Sequence, residues 1–359
     1  MMSMNPDPRL TQHLAHIKAF SSNKLAVVDV GARFGAQEHW SAYDDNQISM
    51  IGFEPDEKEC EELNKQQAGK GSRRYFPVAL NSYKGKRTFY VYAFSSSSSF
   101  YRPNNALVSR FPDIANLAVE KTIEINTVDL DSFAKEHDIK YVDFMKLDVE
   151  GAELDVLKGA ESLLKSSVLG LQVEFLFSQW REEQPVFSDM DSYLRSHGFS
   201  LFDITINRHA RSALREPLYG KPPEPTKNGQ CIWGDALYLL DGVSEIEAGR
   251  NAKIRDDISV LKLASLMEIY NLRDCSIELL QSAGKKGFLK NLNVDHMLDL
   301  LVPAAGSYQQ YLDMIKRKDK EKPPSSSIRK LARMTPAPVR NLGKKILIRF
   351  RDAMNSLVR

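Results

Sequence analysis

Cysteine is scarce in this chain. Its 359 residues hold three, Cys60, Cys231 and Cys275, widely spaced and with no C-x-x-C pair. That argues against a disulfide framework and against a zinc site built on paired thiolates, and it fits a reducing compartment. Long apolar runs are lacking as well: nothing approaches the roughly 18 residues that a membrane-spanning helix needs. The opening residues, MMSMNPDPRL, show no basic segment followed by an apolar core, so no secretory leader is read there. The expectation from these absences is a cytoplasmic protein. No His/Asp ligand spacing supports a metal site, and the sequence leaves metal dependence open.

What is present is ordinary in bulk and uneven in detail. The chain is 42% hydrophobic and 27% charged, as soluble globular proteins are. Its length suggests about two domains. The net charge of +2 hides a contrast: residues 316–359 carry fourteen Lys and Arg against three acids, which leaves the remainder near −9. Such a tail is either a docking segment for anionic lipid, which would make the protein peripheral to the inner face of a membrane, or a solvated end. An acidic body without an aromatic-basic face argues against nucleic acid as partner.

The segment that organises the rest is LAVVDVGARFG. It reads as a strand, Leu25–Val30, running into a turn bounded by Gly31 and Gly35, with a helical pattern beyond. Open α/β sheets bind ligands outside the carboxyl ends of their strands. A glycine there lets backbone approach a ligand, and a helix start beyond it favours an anionic group. A second strand, Ile48–Phe53, ends in Glu54-Pro55. Glu54 stands 23 positions after Gly31, near the offset at which nucleotide-binding folds place an acid on ribose hydroxyls. Arg33 occupies the place of the middle glycine of a dinucleotide fingerprint. Together with Asp29, which suits a cationic amine, this favours S-adenosylmethionine over a nicotinamide.

Further strands are read at Arg74–Leu80, Thr88–Phe94, Glu124–Leu130, Val142–Leu147, Val168–Phe175, Phe199–Ile204 and Ala236–Leu240. The serine run Ser95–Ser99 is either a surface loop or a loop that carries hydroxyls and an aromatic over the cofactor. After Val142–Leu147 come Asp148, Glu150 and Gly151, and the period turns helical from Glu153. A helix cap and a dipole partner account for one of these acids, and poorly for Lys146, Asp148 and Glu150 together. Asn207–Gly234 is long and proline-bearing, an acceptor-side lid or an unstructured loop. Ile254–Val302 is helical throughout, and Pro323-Pro324-Ser325-Ser326-Ser327 is a linker.

VVDVGARFG, GFEPD, VDLDSF and above all MKLDVEGAELDVLKGA resemble the FkbM-type S-adenosylmethionine-dependent methyltransferases. The likeness runs on through QVEF, HGF with LFDI, and GDALYLL, over about residues 25–241. It implies an α/β fold with a Rossmann-like seven-strand methyltransferase sheet, to which a small helical unit is appended. It implies O-methylation of a sugar, glycan or related metabolite. Carried over, Asp29, Gly31, Ala32 and Gly35 would meet the methionine part of the donor, Glu54 and Pro55 the ribose, and Ala79, Leu80 and Asn81 the adenine. Lys146, Asp148, Glu150 and Glu174 would line the reaction centre, with Asp148 or Glu150 as first choice for the base and Glu174 third. The division expected is an N-terminal helix in 1–24, a methyltransferase domain in 25–243, a helical unit in 250–316 and a basic tail in 317–359. A nicotinamide oxidoreductase is the rival enzyme. The other rival is a non-catalytic scaffold, against which an intact set of Asp29, Glu54 and Asp148 counts.

Overall fold

A computed structural model describes residues 2–67, 71–112, 117–213, 228–250, 253–302 and 306–321. Its strands are β1 (Leu25–Val30), β2 (Ile48–Phe53), β3 (Arg73–Phe76), β4 (Ala79–Leu80), β5 (Gly85–Tyr92), β6 (Val119–Val128), β7 (Phe144–Leu147), β8 (Gly170–Leu176), β9 (Phe199–Ile204), β10 (Asn207–His209) and β11 (Gln230–Leu240). The helices are α1 (Arg9–His16), α2 (Glu57–Gln66), α3 (Asn105–Val108), α4 (Leu130–Glu136), α5 (Glu153–Lys158), α6 (Glu161–Ser166), α7 (Phe187–Ser196), α8 (Gly242–Glu247), α9 (Asp257–Ile269), α10 (Arg273–Lys285), α11 (Val294–Leu301) and α12 (Tyr308–Glu321).

The main sheet runs β10-β11-β8-β7-β1-β2-β3, with β9 also paired to β11. It has eight strands where seven were expected, because the strand beside β11 is broken into two pieces. β9 pairs with Ala236–Leu240 and β10 with Gln230–Trp233. The pairs among β1, β2, β3, β7 and β8 are parallel, and β11 runs against β8. That is the arrangement in which strand ends and their following turns share one edge.

A second, three-stranded sheet, β4-β6-β5, stands apart from it. The single strand expected over Arg74–Leu80 is therefore two strands in two sheets, divided at Pro77, which has no amide to give a ladder. β6 begins at Val119 rather than Glu124; its first six residues are exposed, so no buried face marks them in the sequence. The helix expected from Glu153 is two short ones. Gly159 separates them, and a Cβ there would lie 2.2 Å from the Asn81 carbonyl. After Gly35 comes only a 3₁₀ turn, Glu38–Ala42, so the anticipated helix N-terminus does not form. That turn inserts Trp40 under the sheet, 5.4 Å from the Phe144 ring.

Of the helices expected as an appended unit, α9 is packed against the sheet. Val260 to Ile269 of α9 are all buried, as befits a helix that is apolar on every side. Its three polar residues there are each satisfied by another part of the chain. Lys262 meets Asp143 at 2.7 Å, just before β7. Ser265 meets the hydroxyls of Tyr43 at 2.6 Å and Thr11 at 2.9 Å. Glu268 accepts the amides of Leu10 at 2.9 Å and Thr11 at 2.7 Å, capping α1 where Pro8 offers no side-chain cap. Tyr270 stacks on Phe144 and donates to Gln172 of β8 at 3.0 Å.

Met1–Leu301 thus forms one compact unit, and Val302–Arg359 is a second. Within the second, α12 is described; the linker and the basic tail beyond Glu321 lie outside the described residues. So does half of the anticipated acceptor-side lid, residues 214–227. Among the described residues no helix is long and apolar enough to cross a membrane.

Removing one partner of a buried ion pair strands the other charge. Lys262→Met is expected to lower unfolding free energy by about 3 kcal/mol. Lys262→Met combined with Asp143→Leu is expected to regain most of that loss. Denaturant titration of the three proteins checks it, and a single variant as stable as the parent would contradict it.

Candidate active site

The turn after β1 and the turn after β7 are built against each other. Gly31, at φ +79°, has no room for a side chain: a Cβ would lie 1.9 Å from the Asp148 carbonyl oxygen. The glycine expected to admit a cofactor is thus required first by the protein's own packing. The Asp148 amide donates to Val30 at 3.1 Å, and the amides of Gly31 and Ala32 donate to the Phe53 carbonyl at 3.1 and 3.0 Å. Strand ends β1, β2 and β7 are therefore locked into one rim.

Lys146 ties the rim together from below. Its ammonium lies 3.4 Å from Asp29, 3.2 Å from Asp148 and 3.3 Å from the Gly31 carbonyl. Burial pulls its pKa down, but Asp29 and then Asp148 outweigh that and hold it above the ordinary lysine range. Asp29 is itself only 4% exposed. The cation it meets is Lys146, and it is not among the residues that line the cavity.

A cavity of about 480 Å³ opens above this rim. Of the residues expected at the donor, Gly31, Glu54, Pro55, Ala79 and Leu80 line it, whereas Ala32, Gly35 and Asn81 do not. Asn81 is fully buried and accepts from Arg87 at 2.8 Å, a scaffold role. Glu54 accepts the Asp56 amide with one oxygen at 2.9 Å, and its other oxygen has no hydrogen bond among the described residues. Phe53, Val78 and Ala79 give flat apolar wall beside it. The volume is within the usual range for small-molecule sites, and an acid beside an apolar slot fits a ribose next to an aromatic base. These residues fit S-adenosylmethionine.

At the other end of the cavity the carboxylates of Asp148, Glu150 and Glu174 come within 4.8 Å of one another. They differ in their company. Asp148 faces Lys146. Glu150 sits at φ +57°, a conformation uncommon for a residue with a side chain, and is paired with Arg181. Its carbonyl accepts from Ser99 Oγ at 2.7 Å. Glu153, 2% exposed, accepts the Val149 and Gly151 amides at 2.8 and 3.2 Å and so holds the turn from beneath; burial lifts its pKa to about 7. Glu174 receives no hydrogen bond from any described residue. Burial first, then Asp148 and Glu150, push it well above the usual carboxylate range.

Three groups of site residues escaped sequence reasoning. Arg181, 3% exposed, joins Glu150 to the Ser97 carbonyl, the latter at 3.1 Å, and nothing in its local sequence marks it. Glu153 was legible only as an acid in a helix's first turn. The β5–β6 hairpin contributes Phe89, Val91, Ile123 and Ile125 as an apolar wall with Lys121 beside them. The alternation of those residues was visible, but not the direction they face. The serine run lies on the cavity: Ser95, Ser96, Ser98 and Phe100 line it, while Tyr101 turns away to donate to Asp155 at 2.8 Å.

A divalent ion would need carboxylates free to bind it. Asp148, Glu150 and Glu174 are grouped closely enough to hold one, and two of the three already face a cation of the chain.

Residues 29–201 match the methyltransferase FkbM domain. Over 186 residues the chain is 20% identical to the 2-O-methyltransferase NoeI of Sinorhizobium fredii (strain NBRC 101917 / NGR234), covering 50% of this chain and 72% of that protein. Among solved structures it is similar to magnesium protoporphyrin IX methyltransferase (ChlM) from Synechocystis PCC 6803 with bound SAM. That likeness has 11% identity and a TM-score of 0.28, over 65% of this chain and 79% of the other. It is similar also to the N-terminal domain of EvdMO1 with SAH bound, at 12% identity and a TM-score of 0.29, over 66% and 82%. The matched segment runs from Asp29 past Glu174 and holds every carboxylate of the rim, and this part of the chain is a methyltransferase FkbM domain.

Proposed function

We propose that this enzyme methylates a hydroxyl oxygen of a sugar, glycan or related metabolite, and that Glu174 takes the hydroxyl proton. The observation that carries this is the state of Glu174. It is the one member of the acid cluster without an ion-pair or hydrogen-bond partner among the described residues, and it faces the cavity. The order of preference formed from the sequence is thereby reversed, since Asp148 and Glu150 are engaged by Lys146 and Arg181.

When bound, the donor supplies a methyl carbon on a sulfonium, whose leaving group needs no protonation. The protein must hold the acceptor oxygen in line with that carbon, a positioning that can contribute about 7–11 kcal/mol. Glu54 would fix the donor from the ribose side. Asp148 and Glu150, held by Lys146 and Arg181, keep oxygens able to accept from neighbouring hydroxyls of a polyol. Phe34, 88% exposed at the mouth, and Phe89 and Phe100 in the wall offer faces for the C–H side of a sugar ring. A base with a raised pKa is matched to an alcohol better than an ordinary carboxylate is. The 2-O-methyltransferase name of one relative agrees with an oxygen acceptor.

Glu174→Gln is expected to reduce turnover by roughly 10²–10⁴-fold while calorimetry still shows donor binding. The base must be deprotonated to act, so the wild-type rate is expected to rise with pH through a limb above the ordinary carboxylate value of about 4.3. That limb reports the coupled acids together, and it should vanish in Glu174→Gln. An unaltered limb in the variant would remove Glu174 from the role. Excess chelator is expected to leave turnover unchanged; a loss restored by Mg²⁺ would show that the three carboxylates hold a cation instead.

A further inference from the structure

The opposite edge of the sheet carries a second cavity that methyl transfer does not use. It has a volume of about 240 Å³ and lies at the amino ends of β1, β7 and β8, where Asn23, Asp143 and Leu169 precede those strands. Its other wall is the segment entering α9, with Lys253, Arg255, Asp256, Ser259 and Lys262.

Its two lysines are both almost fully buried, and they are provided for very differently. Lys262 meets Asp143 at 2.7 Å, Asn23 at 2.9 Å and the Lys24 carbonyl at 2.8 Å. Among the described residues Lys253, 6% exposed, reaches only the His197 carbonyl at 3.4 Å and the Phe199 ring at 4.0 Å. The carboxylate that acts on it, Glu245, is already engaged by Arg250 at 2.8 Å. Burial pulls the Lys253 pKa down to about 8. A buried ammonium without a counter-charge is costly, and the described residues supply none within ion-pair reach.

Two acids share the cavity, and both are committed. Asp143 is held by Lys262 and by the Ala26 amide at 2.7 Å. Asp256 caps α9, accepting the Ser259 amide at 2.8 Å. The helix terminus is therefore already satisfied and is not what would attract a ligand. Arg255 is exposed and has no ion-pair partner among the described residues. Three cations thus surround a space that two engaged acids do not neutralise.

We infer that this cavity binds a small oxyanion of phosphate size, with Lys253 and Arg255 as its charged partners. Tyr141 and Ser167 line the same cavity. A phosphate-sized group fits the volume, and charge-assisted bonds to it would satisfy the buried ammonium. The site is separate from the reaction centre, at the far end of the same strands.

The test uses the full chain. Thermal unfolding and calorimetry are run with inorganic phosphate and with glycerol 3-phosphate, each against sodium chloride at equal ionic strength. Near-saturating phosphate is expected to raise Tm by about 2 °C or more, with a measurable heat of binding. Lys253→Met, which keeps an apolar stem on Phe199, is expected to abolish both signals. Arg255→Gln, an exposed change with little bearing on folding, is expected to weaken binding several-fold. A stronger response to glycerol 3-phosphate would assign the oxyanion to an organic monoester, and a stronger response to phosphate would assign it to the free ion. No response in the wild type, or equal responses in the wild type and both variants, would overturn the inference.

Discussion

One buried ammonium holds the catalytic end of this protein in shape. Lys146 reaches two carboxylates and a carbonyl that belong to adjacent strand ends, β1 and β7. Without it, the buried Asp29 and the exposed Asp148 would stand as like charges with no cation between them. The absent side chain of Gly31 lets the two turns approach closely enough for that three-way contact. The glycine and the lysine are thus one device, and the rim of the cavity is its product.

The surrounding structure distributes charge so that the acids behave differently. Asp148, Glu150, Glu153 and Glu174 lie within a few residues or one strand of each other, yet each has its own environment. A lysine neutralises the first, an arginine the second, and backbone amides the third. The fourth has burial and its neighbours' repulsion, both of which favour the protonated form. Pushing apart the properties of like groups is how one cluster can hold an acceptor and also remove a proton. Serine 99 and Arg181 extend the same network to the loop above, so the cover of the site is fastened to the acid at its floor.

The strands nearest the site were legible because they are short, apolar and bounded. β1, β2 and β9 lie where their composition puts them. The acids at the ends of β7 and β8 were legible because a carboxylate at the mouth of a buried strand has few bland explanations. What each acid pairs with was not legible. Arg181 comes from a loop 31 residues after Glu150, and no local pattern links them. β6 and the start of β11 were hidden by polar or exposed faces, where hydrophobic periodicity carries no signal. The integration of α9 with the sheet was hidden for another reason: its apolar residues point all round, and only its buried Lys262, Ser265 and Glu268 say that several partners surround it.

Everything in this account places the donor between the ends of β1 and β2 and the acid cluster of β7 and β8. The most direct measurement is a crystal structure with S-adenosylhomocysteine bound. The account predicts its ribose hydroxyls on the free oxygen of Glu54 and its sulfur side turned toward Glu174. Density for the nucleoside anywhere outside this cavity, or with its sulfur facing away from the three carboxylates, would contradict it.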